Sequence, residues 1–320
     1  MQRRILCIRS DRLGEFLLTL YAIKIIKINY PESKLYLLAK EENIELIKGT
    51  EFIDEFLFYQ KEEFRGLRGA FKLAGIIKEY SIDTVVVFNP QREFHLASFL
   101  GRASLRVGYD RKWGFCLNKK ITDRKHLSKK HEAEYNIDLV RLICKDTKAP
   151  SLEFPFDKRE SLHFLDNKLF FREKYVVIHP FSSHQAKRIE KEFWHKLIEK
   201  INEKIKNKIV IIGTEEDKEE SVDFIGGLKV INLVGRLTLR NLAVFFKYYC
   251  GVFIGLDSGP MHLASIFKRP VVGLFKVTSP YRWGPYKTIS LVIEGEKVKD
   301  FLDKIEDILS FISSQKDCII

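Results

Sequence analysis

The 320-residue sequence predicts an α/β protein built from two parallel sheets. Short apolar strands alternate with helical patterns in both halves of the chain. Strands that alternate with helices form parallel sheets through right-handed crossovers. Residues 145–158, which carry two prolines and little periodicity, separate the halves as a linker. Hydrophobic residues at 45% and charged residues at 31% give the balance of a globular protein.

Four strands are predicted in the first half, with helical patterns at 15–28, 41–48 and 64–79 between them. The strands are RILCIR (3–8), KLYLLA (34–39), EFLFY (55–59) and DTVVVF (83–88).

The helical pattern 64–79 is both amphipathic and basic. We expect its apolar face to pack on the sheet, with contact to a membrane surface as the alternative. Its basic face carries Arg65, Arg68 and Lys72, and its apolar face carries Leu67, Ala70, Phe71, Ala74 and Ile77.

The second half repeats the alternation after the linker. Its predicted strands are YVVIH (175–179), KIVIIG (208–213), LKVINL (228–233), GVFIG (251–255) and PVVGLF (270–275). Its predicted helices are 191–205, 215–225, 238–248, 259–267 and 298–313. These patterns predict domains at 1–155 and 156–297 and a C-terminal helix and tail at 298–320, for which one arrangement is packing back on the N-terminal domain.

The cysteines and the hydropathy pattern favour a cytoplasmic protein. No apolar run reaches the roughly 18 residues that a membrane-spanning helix needs. The opening residues MQRRILCIRSDR lack the pattern of a signal peptide. We expect reduced core thiols rather than disulfides or a zinc site, because the five cysteines are scattered and form no CxxC pair. They are Cys7, Cys116, Cys144, Cys250 and Cys318.

Positive charge is concentrated in one segment, residues 102–131. It holds ten Lys or Arg and two acids, so its local charge of +8 is two thirds of the net +12. Such a block is either a solvated surface or a binding face for a polyanion, which could be nucleic acid, anionic lipid or a phosphorylated sugar. No helix-turn-helix, RNP or KH signature accompanies it, so nucleic acid is not an expected partner.

Ligands of open parallel sheets bind at the carboxyl ends of the strands, where four motifs stand. The first is RSDRLGEFLLTL, residues 9–20. Gly14 allows a tight turn, and Glu15 stands at the start of an apolar helix. An acid there either complements the helix dipole or accepts a proton from a hydroxyl at the site. The stretch is not a dinucleotide fingerprint, because GxGxxG is absent.

The second motif is HPFSSHQAKRI, residues 179–189, after the strand YVVIH. Hydroxyls at Ser182 and Ser183 and positive charge at Lys187 and Arg188 suit a diphosphate. A polar surface loop is the alternative interpretation.

The third motif is IIGTEEDKEE, residues 211–220, in which a strand ends and acids open a helix. Asp217 or Glu216 is a candidate for binding ribose hydroxyls, although acids are expected at a helix start in any case.

The fourth motif is GVFIGLDSGPMHLAS, residues 251–265. Ser258 or Gly259 caps a helix whose first turn holds a proline, so free backbone N–H groups form an anion site. His262 adds a donor one turn in, unless it is a buried, satisfied histidine. Asp257 fits the orientation of backbone amides or the binding of a sugar hydroxyl. Together these features predict a phosphorylated ligand.

These motifs resemble glycosyltransferase family 9, the bacterial heptosyltransferases of the lipopolysaccharide core. DSGPMHLA matches the family motif in full, and RSDRLGE, HPFSSHQAKRI and SPYRWGPY (Ser279 to Tyr286) are similar to the others. The resemblance covers the whole chain in order. It implies a GT-B fold, in which two Rossmann-like domains face each other across a cleft. It also implies inverting transfer of heptose from ADP-heptose to the inner core, with no metal and no cofactor.

The resemblance also implies roles for residues at matching positions. Glu15 matches the general base, with Asp11 as the alternative, and Lys187 supports the leaving group. Donor-binding positions are Ser182, Ser183, Lys187, Asp217 near the ribose, Leu237 near the base, Asp257, Ser258, Gly259 and His262.

The N-terminal domain is expected to hold the acceptor, an anionic lipid-linked saccharide, at the cytoplasmic face of the inner membrane. The protein is thus expected to be peripheral to that membrane. Acceptor-binding candidates are Arg9, Arg12, Arg111, Lys112, Lys119 and Lys120.

Three residues depart from the family pattern: Glu15 replaces an aspartate, Phe181 a glycine and Ile189 a tryptophan. The extra methylene of Glu15 moves its carboxylate by about 1.5 Å, a displacement large enough to slow catalysis. Two alternatives follow. One is a GT-B transferase or epimerase that uses another nucleotide sugar, such as a UDP-hexose, and the other is a non-catalytic polyanion-binding relative.

Overall fold

Two six-stranded parallel sheets organise the protein in a computed structural model, which describes residues 2–163, 174–205 and 207–315. The chain divides into two units, Met1–Pro155 and Phe156–Ile320, and each unit contains one sheet.

The first unit alternates strands and helices from its first residues. Its strands are β1 (Arg4–Ile8), β2 (Lys34–Ala39), β3 (Glu55–Phe58), β4 (Thr84–Val87), β5 (Leu105–Tyr109) and β6 (Lys119–Ile121). Its helices are α1 (Leu13–Asn29), α2 (Glu41–Ile47), α3 (Lys61–Phe64), α4 (Gly66–Glu79), α5 (Arg92–Leu100) and α6 (Glu132–Val140).

The second unit repeats this plan. Its strands are β7 (Tyr175–His179), β8 (Ile209–Ile211), β9 (Ile231–Asn232), β10 (Cys250–Leu256), β11 (Val271–Phe275) and β12 (Ser290–Glu294). Its helices are α7 (Lys191–Lys204), α8 (Lys218–Ile225), α9 (Leu239–Tyr248), α10 (Gly259–Ile266), α11 (Pro280–Trp283), α12 (Val298–Leu302) and α13 (Ile305–Ser314).

Both sheets reverse their strand order at the centre. The first has the order β3-β2-β1-β4-β5-β6 and the second β12-β11-β10-β7-β8-β9, with all pairs parallel. In such a sheet a crevice opens outside the carboxyl ends of the two strands where the order reverses. These pairs are β1 with β4 and β7 with β10, and their four buried strands are the centres of the two hydrophobic cores.

All nine strands predicted from the sequence are present, and the structure adds β5, β6 and β12. The added strands lack the apolar runs by which the others were found. β5 contains Arg106 and Gly108, while β6 is an edge strand that begins with exposed Lys119 and Lys120. β12 is another edge strand, and only Ile293 of its five residues is buried. Edge strands need little apolar surface, so their sequences carry a weak signal.

The prediction that α4 buries Leu67 and Phe71 is wrong, since these side chains are 60% and 62% exposed. The buried side of the helix is centred on Ala70, Leu73 and Ile77 instead. Ile77 packs at Gly101 at the end of α5, and the small residues Ala70 and Ala74 let α4 lie close to its neighbours. Close packing through small residues turns the two large side chains outward.

The C-terminal segment contributes to the core of the second unit. Helices α12 and α13 pack against α7, and Ile308, Leu309 and Ile312 belong to the hydrophobic cluster that also contains Trp194.

Four of the cysteines are free and buried, which confirms that prediction for Cys7, Cys116, Cys144 and Cys250. Burial raises the pKa of Cys144 to about 12, so its thiol is unreactive at neutral pH. Cys318 lies outside the described residues.

Within the described ranges, no helix combines the length and apolar character that crossing a membrane would require.

Replacing Ile308 with Ala should lower the free energy of unfolding of the second unit by roughly 2–5 kcal/mol, because it leaves a cavity in a fully buried cluster. Urea denaturation followed by the fluorescence of Trp194, in the same cluster, would measure the loss. Ser310→Ala, at an exposed position of the same helix, is the control. Equal stability of the two variants would show that α13 does not belong to this core.

Candidate active site

Lys187, Asp257 and His262 meet at the carboxyl ends of β7 and β10. Nζ of Lys187 lies 2.6 Å from Oδ2 of Asp257 and donates to its carbonyl oxygen at 3.1 Å. Nε2 of His262 lies 3.7 Å from Oδ1 of the same carboxylate. Asp257 is 7% exposed. Three predicted donor-binding residues therefore form one nearly buried charged cluster.

The carboxylate of Asp257 is held in its ionised form by its neighbours. Burial raises its pKa, but His262 and Lys187 outweigh burial and lower the pKa to about 2. At neutral pH the negative charge is therefore fixed, and it holds the ammonium group and the imidazole ring at one place. Asp257 thus positions two side chains that can donate to an anion, whereas its predicted orientation of backbone amides or binding of a sugar hydroxyl stays a prediction.

The imidazole of His262 is only partly satisfied by these contacts. The side chain is buried, and Nδ1 has no hydrogen-bond partner among the residues that the structure describes. An unpaired buried polar atom is destabilising, so such an atom calls for an explanation, such as a bound water, an ion or a catalytic role. The alternative interpretation, that His262 is a core histidine with both ring nitrogens hydrogen-bonded, is therefore not what the geometry shows.

Helix α10 begins beside this cluster, with Pro260 in its first turn after Ser258 and Gly259. Ser258 makes no capping hydrogen bond to the helix, and its Oγ instead lies 3.2 Å from Nδ1 of His179. Burial lowers the pKa of His179 to about 4, so this imidazole is neutral at pH 7. The first N–H groups of α10 are consequently available to an anion, which the helix dipole also favours.

The loop after β7 presents Ser182 and Ser183 ahead of Lys187. Oγ of Ser182 accepts from the N–H of His184 at 3.2 Å, and the carbonyl of Ser182 accepts from Nε of Arg188 at 2.8 Å. Arg188 also donates to both carboxylate oxygens of Glu220, at 2.8 and 2.7 Å. The role of Arg188 is therefore to brace the loop, and Lys187 is the cation at the strand ends.

Asp217 and Leu237 lie at the ends of β8 and β9. Oδ2 of Asp217 accepts from the N–H and the hydroxyl of Thr214, both at 2.8 Å. The charge of Asp217 acts on the pKa of His179, which places the two side chains near each other. Leu237 is half-buried and precedes α9, while Glu216 is exposed. Their contacts with a ribose and a base stay predictions.

Two departures from the family pattern are core residues. Phe181 is 2% exposed and packs edge-on against Phe224, with ring centroids 5.5 Å apart. A Cβ at Gly213 would lie 2.9 Å from the Phe181 ring, so the glycine makes room for the phenyl group. Ile189 belongs to the same hydrophobic cluster. Both substitutions thus alter packing beneath the loop that carries Lys187.

In the first unit, Asp11 lies in the turn between β1 and α1, and Glu15 follows it in α1. Asp11 forms an ion pair with Nε of Arg9 at 2.7 Å and is one third exposed. Burial, assisted by the charge of Glu15, raises the pKa of Asp11 despite this arginine. Glu15 stands in the first turn of α1, half-buried, and its carboxylate has no ion pair in the described structure. The two candidate bases are therefore close neighbours with different constraints.

Arg9 differs from its predicted role in acceptor binding. It is 2% exposed, and its guanidinium contacts Asp11, Glu132, the Asn136 side chain at 3.5 Å and the Phe88 carbonyl at 3.3 Å. Such a side chain has no surface left for an acceptor. The buried position after β1 and the acids around it assign Arg9 to holding Asp11 in place.

The other predicted acceptor residues are exposed. Arg111 pairs with Asp123 at 2.9 Å, and Lys120 pairs with Asp110 at 3.1 Å. Arg12, Lys112 and Lys119 have no ion pair among the described residues. The acids of the basic segment thus neutralise part of it, and contact with an acceptor stays a prediction for these five residues.

Two residues that contact members of the candidate site were missed by sequence reasoning. His179 stands inside a quoted motif, and its position as the last, polar residue of a buried strand was a usable signal. Glu132, 2% exposed, binds Lys125 at 2.6 Å and approaches Arg9. No sequence signal marks the contact of Glu132 with Arg9, because Arg9 is distant in the chain. In the described ranges, no group of three His, Cys, Asp or Glu side chains is arranged to hold a metal ion.

Replacing Asp257 with Asn should lower the free energy of unfolding by about 2 kcal/mol at neutral pH. The folded pKa is below the ordinary value of 3.8. The carboxylate therefore stabilises the protein above that pH and loses this effect as the pH falls towards 2. Urea denaturation across this pH range should show the two proteins converging on acidification, whereas exposed Asp223→Asn should match the wild type throughout. A difference that does not change with pH would contradict the charged cluster.

Known proteins are similar to this chain along most of its length. The family model "Glycosyltransferase family 9 (heptosyltransferase)" matches residues 71–302. "Lipopolysaccharide heptosyltransferase 3" of Escherichia coli is 22% identical over 287 residues, which cover 85% of this chain and 82% of that protein.

Two solved structures have the same fold along nearly the whole chain. A glycosyltransferase family 9 structure from Veillonella parvula has a TM-score of 0.82 at 20% identity and covers 98% of this chain and 97% of its own. The ADP-heptose lipopolysaccharide heptosyltransferase II of Escherichia coli has a TM-score of 0.79 at 19% identity, covering 99% and 100%. These matches confirm the GT-B fold class. Since the family model covers well over half of the sequence, the chain belongs to glycosyltransferase family 9, the heptosyltransferases, and is a glycosyltransferase.

Proposed function

We propose that the protein transfers a heptose from ADP-heptose to an anionic, lipid-linked saccharide of the lipopolysaccharide inner core, with inversion and without a metal ion. The observation that carries the proposal is the cluster of Lys187, Asp257 and His262 beside the N-terminus of α10. An ammonium group, an imidazole and free N–H groups at one point suit a diphosphate that gains charge as it leaves. The names of the relatives support the choice of donor and acceptor.

The reaction is a single displacement. Glu15 takes the proton of an acceptor hydroxyl while that oxygen attacks the anomeric carbon of the heptose. The new C–O bond forms as the bond to the diphosphate oxygen breaks, and ADP leaves with the electron pair. Lys187, His262 and the N–H groups at Ser258 and Gly259 stabilise the charge that develops on ADP, each such donor contributing roughly 3–4 kcal/mol in comparable enzymes.

Glu15 is a better candidate for the base than Asp11. The ion pair with Arg9 ties the Asp11 carboxylate in place, although burial raises its pKa. Glu15 has no such partner in the described structure, so its longer side chain is able to turn towards a hydroxyl. Glu15 is one methylene longer than the aspartate that is usual in the family. Its carboxylate reaches the same point if the backbone of the turn lies farther from the acceptor by a similar distance.

Glu15→Gln should lower kcat by roughly a hundredfold or more, because it removes the proton acceptor while it preserves the shape of the side chain. The measurement is acceptor-dependent ADP release from ADP-heptose in the presence of EDTA. Glu41→Gln, at another acid in a first helical turn of the same unit, is the control and should behave as the wild type.

The outcomes separate the alternatives. Activity that survives Glu15→Gln and is lost in Asp11→Asn would move the base to Asp11, and loss of wild-type activity in EDTA would reject metal independence. Release of nucleotide from a UDP-hexose but not from ADP-heptose would identify a different donor. No turnover of any nucleotide sugar would favour the non-catalytic, polyanion-binding alternative.

The basic segment 102–131 is proposed to hold the acceptor at the inner face of the inner membrane, to which the protein is peripheral. Lys112→Glu with Lys119→Glu should weaken acceptor binding, measured as a higher acceptor KM, and leave the KM for the donor unchanged. Both side chains are exposed and unpaired in the described structure, unlike Lys125, which is braced against Glu132. An equal effect on both substrates, or on neither, would contradict this assignment.

A further inference from the structure

The outer surface of the first unit carries large apolar side chains that no core requires. They lie on α4, on α5 and in the connection from β5 to β6, which we call the amphipathic face. Its members, with their exposed fractions, are Leu67 (60%), Phe71 (62%), Phe99 (53%), Trp113 (37%) and Phe115 (75%).

The two helices of this face are held side by side. The Glu93 carboxylate on α5 accepts from the N–H of Gly66 at the start of α4, at 3.0 Å. Near the other end, Lys78 of α4 lines a surface depression together with Gly101 and Arg102 after α5.

Leu67 and Phe71 lie on the same flank of α4 as Lys78. At 100° per residue, Leu67, Phe71 and Lys78 fall within one narrow sector of the helix. This flank borders the side of α4 next to α5, since Lys78 lines the same depression as the residues that follow α5.

The connection from β5 to β6 extends the surface on the far side of α5. The guanidinium of Arg92, at the start of α5, lies 6.0 Å from the ring centre of Trp113. The guanidinium of Arg106 lies 5.6 Å from the ring centre of Phe99 and donates through Nε to the carbonyl of Cys116 at 2.7 Å. The Trp113 and Phe115 rings are 6.2 Å apart. The apolar side chains therefore form one surface rather than scattered single exposures.

Positive charge surrounds these apolar groups. Six exposed Lys or Arg side chains on the same elements have no ion pair among the described residues: Arg65, Arg68, Lys78, Arg92, Arg102 and Lys112. Of the acids nearby, Glu63 pairs with Lys72 and Glu93 accepts from the backbone, whereas exposed Glu62 and Glu79 have no ion pair among the described residues. Apolar side chains framed by unpaired cations are typical of surfaces that enter the boundary between lipid headgroups and acyl chains.

We propose that the amphipathic face seats the protein on an anionic lipid bilayer, with Phe71, Phe99, Trp113 and Phe115 in the interfacial layer and the surrounding cations against the headgroups. Tryptophan and phenylalanine are favoured at that depth. A second copy of the chain is a poor occupant, because it would bring two sets of unpaired cations together. A single-stranded nucleic acid could stack on the rings but would leave the aliphatic Leu67 without a partner.

The face is continuous with the catalytic turn of the first unit. Gln91, immediately before α5, donates to the hydroxyl of Ser10 at 3.3 Å, and Ser10 is the neighbour of Asp11. Seating α5 on a bilayer therefore sets the height of that turn above the lipid. The inference rests on the proposed function, because a lipid-linked acceptor is the reason for a glycosyltransferase to reach a membrane. It assigns the contact to side chains that penetrate the bilayer rather than to charge alone.

Vesicle co-sedimentation tests the proposal on the full-length protein. The wild type should bind vesicles of phosphatidylethanolamine with phosphatidylglycerol. The double variant Trp113→Ser/Phe115→Ser should bind roughly tenfold or more weakly, because it lacks the two aromatic rings whose transfer from water into the bilayer favours binding. Phe71→Ser is an independent variant on another element and should weaken binding in the same direction. The matched control is Val222→Ser/Ile289→Ser, which removes two exposed apolar side chains from the second unit and should bind as the wild type.

Depth is measured by quenching of tryptophan fluorescence with lipids brominated on their acyl chains. Trp194 is fully buried and Trp283 belongs to the second unit, away from the amphipathic face, so Trp113 should supply most of the quenching on vesicle binding. Trp113→Phe should remove this quenching and still co-sediment. Binding without quenching would show that charge alone holds the protein at the surface and would overturn the proposal.

Other outcomes are equally decisive. Equal vesicle binding by the Trp113→Ser/Phe115→Ser variant and the control would overturn it, as would binding to a single-stranded oligonucleotide but not to vesicles. Transfer to a deacylated, water-soluble acceptor separates the two hypotheses. Phe71→Ser lies outside the segment 102–131, so weaker vesicle binding with this transfer retained would support the face as a membrane contact. Vesicle binding by a wild-type enzyme without transfer would reject the proposed function and leave the face standing.

Discussion

The buried carboxylate of Asp257 is the interaction on which the second unit's site depends. An ionised group with so little exposure is tolerable only when charge partners and hydrogen bonds surround it. Here the partners come from two different connections, Lys187 after β7 and His262 in α10. The ion pair therefore fixes the distance between the two loops that leave the central strands. A ligand that met Lys187 and the start of α10 would find both already in place, so it would not lose binding energy in ordering them.

The first unit also buries an ionised side chain, in this case a cation. Arg9 is buried after β1, and Asp11, Glu132 and Asn136 surround its guanidinium. Because Glu132 belongs to α6, this set of charges ties the turn that carries Asp11 to a helix from the end of the unit's sequence. Removing one member would leave a buried charge uncompensated, which is more damaging than removing the whole set. In both units, the residues at the strand ends are thus held by a buried or nearly buried charge, Arg9 in the first and Asp257 in the second.

The positions of the site motifs were predictable because they follow strands. Lys187, Asp257, Ser258 and His262 were expected together since parallel strands bring their carboxyl ends to one edge, and the structure places them there. The burial and the partners of each side chain were not predictable in the same way. Nothing near Arg9 in the sequence indicates that it is buried, because Glu132 and Asn136 are more than a hundred positions away.

Helical periodicity gives a similar mixture of success and failure on α4. It predicted the helix and its amphipathic character, but it placed Leu67 and Phe71 in the core. Periodicity reports which residues share a face, but it does not report how wide the buried part of that face is. The width is set by the neighbour, and a helix that packs through Ala70, Ala74 and Ile77 buries a narrow strip. Large side chains at the margin of such a strip remain in water unless something covers them. Packing within the chain does not explain why these side chains are exposed beside unpaired cations. A partner with an apolar interior and an anionic surface explains both features.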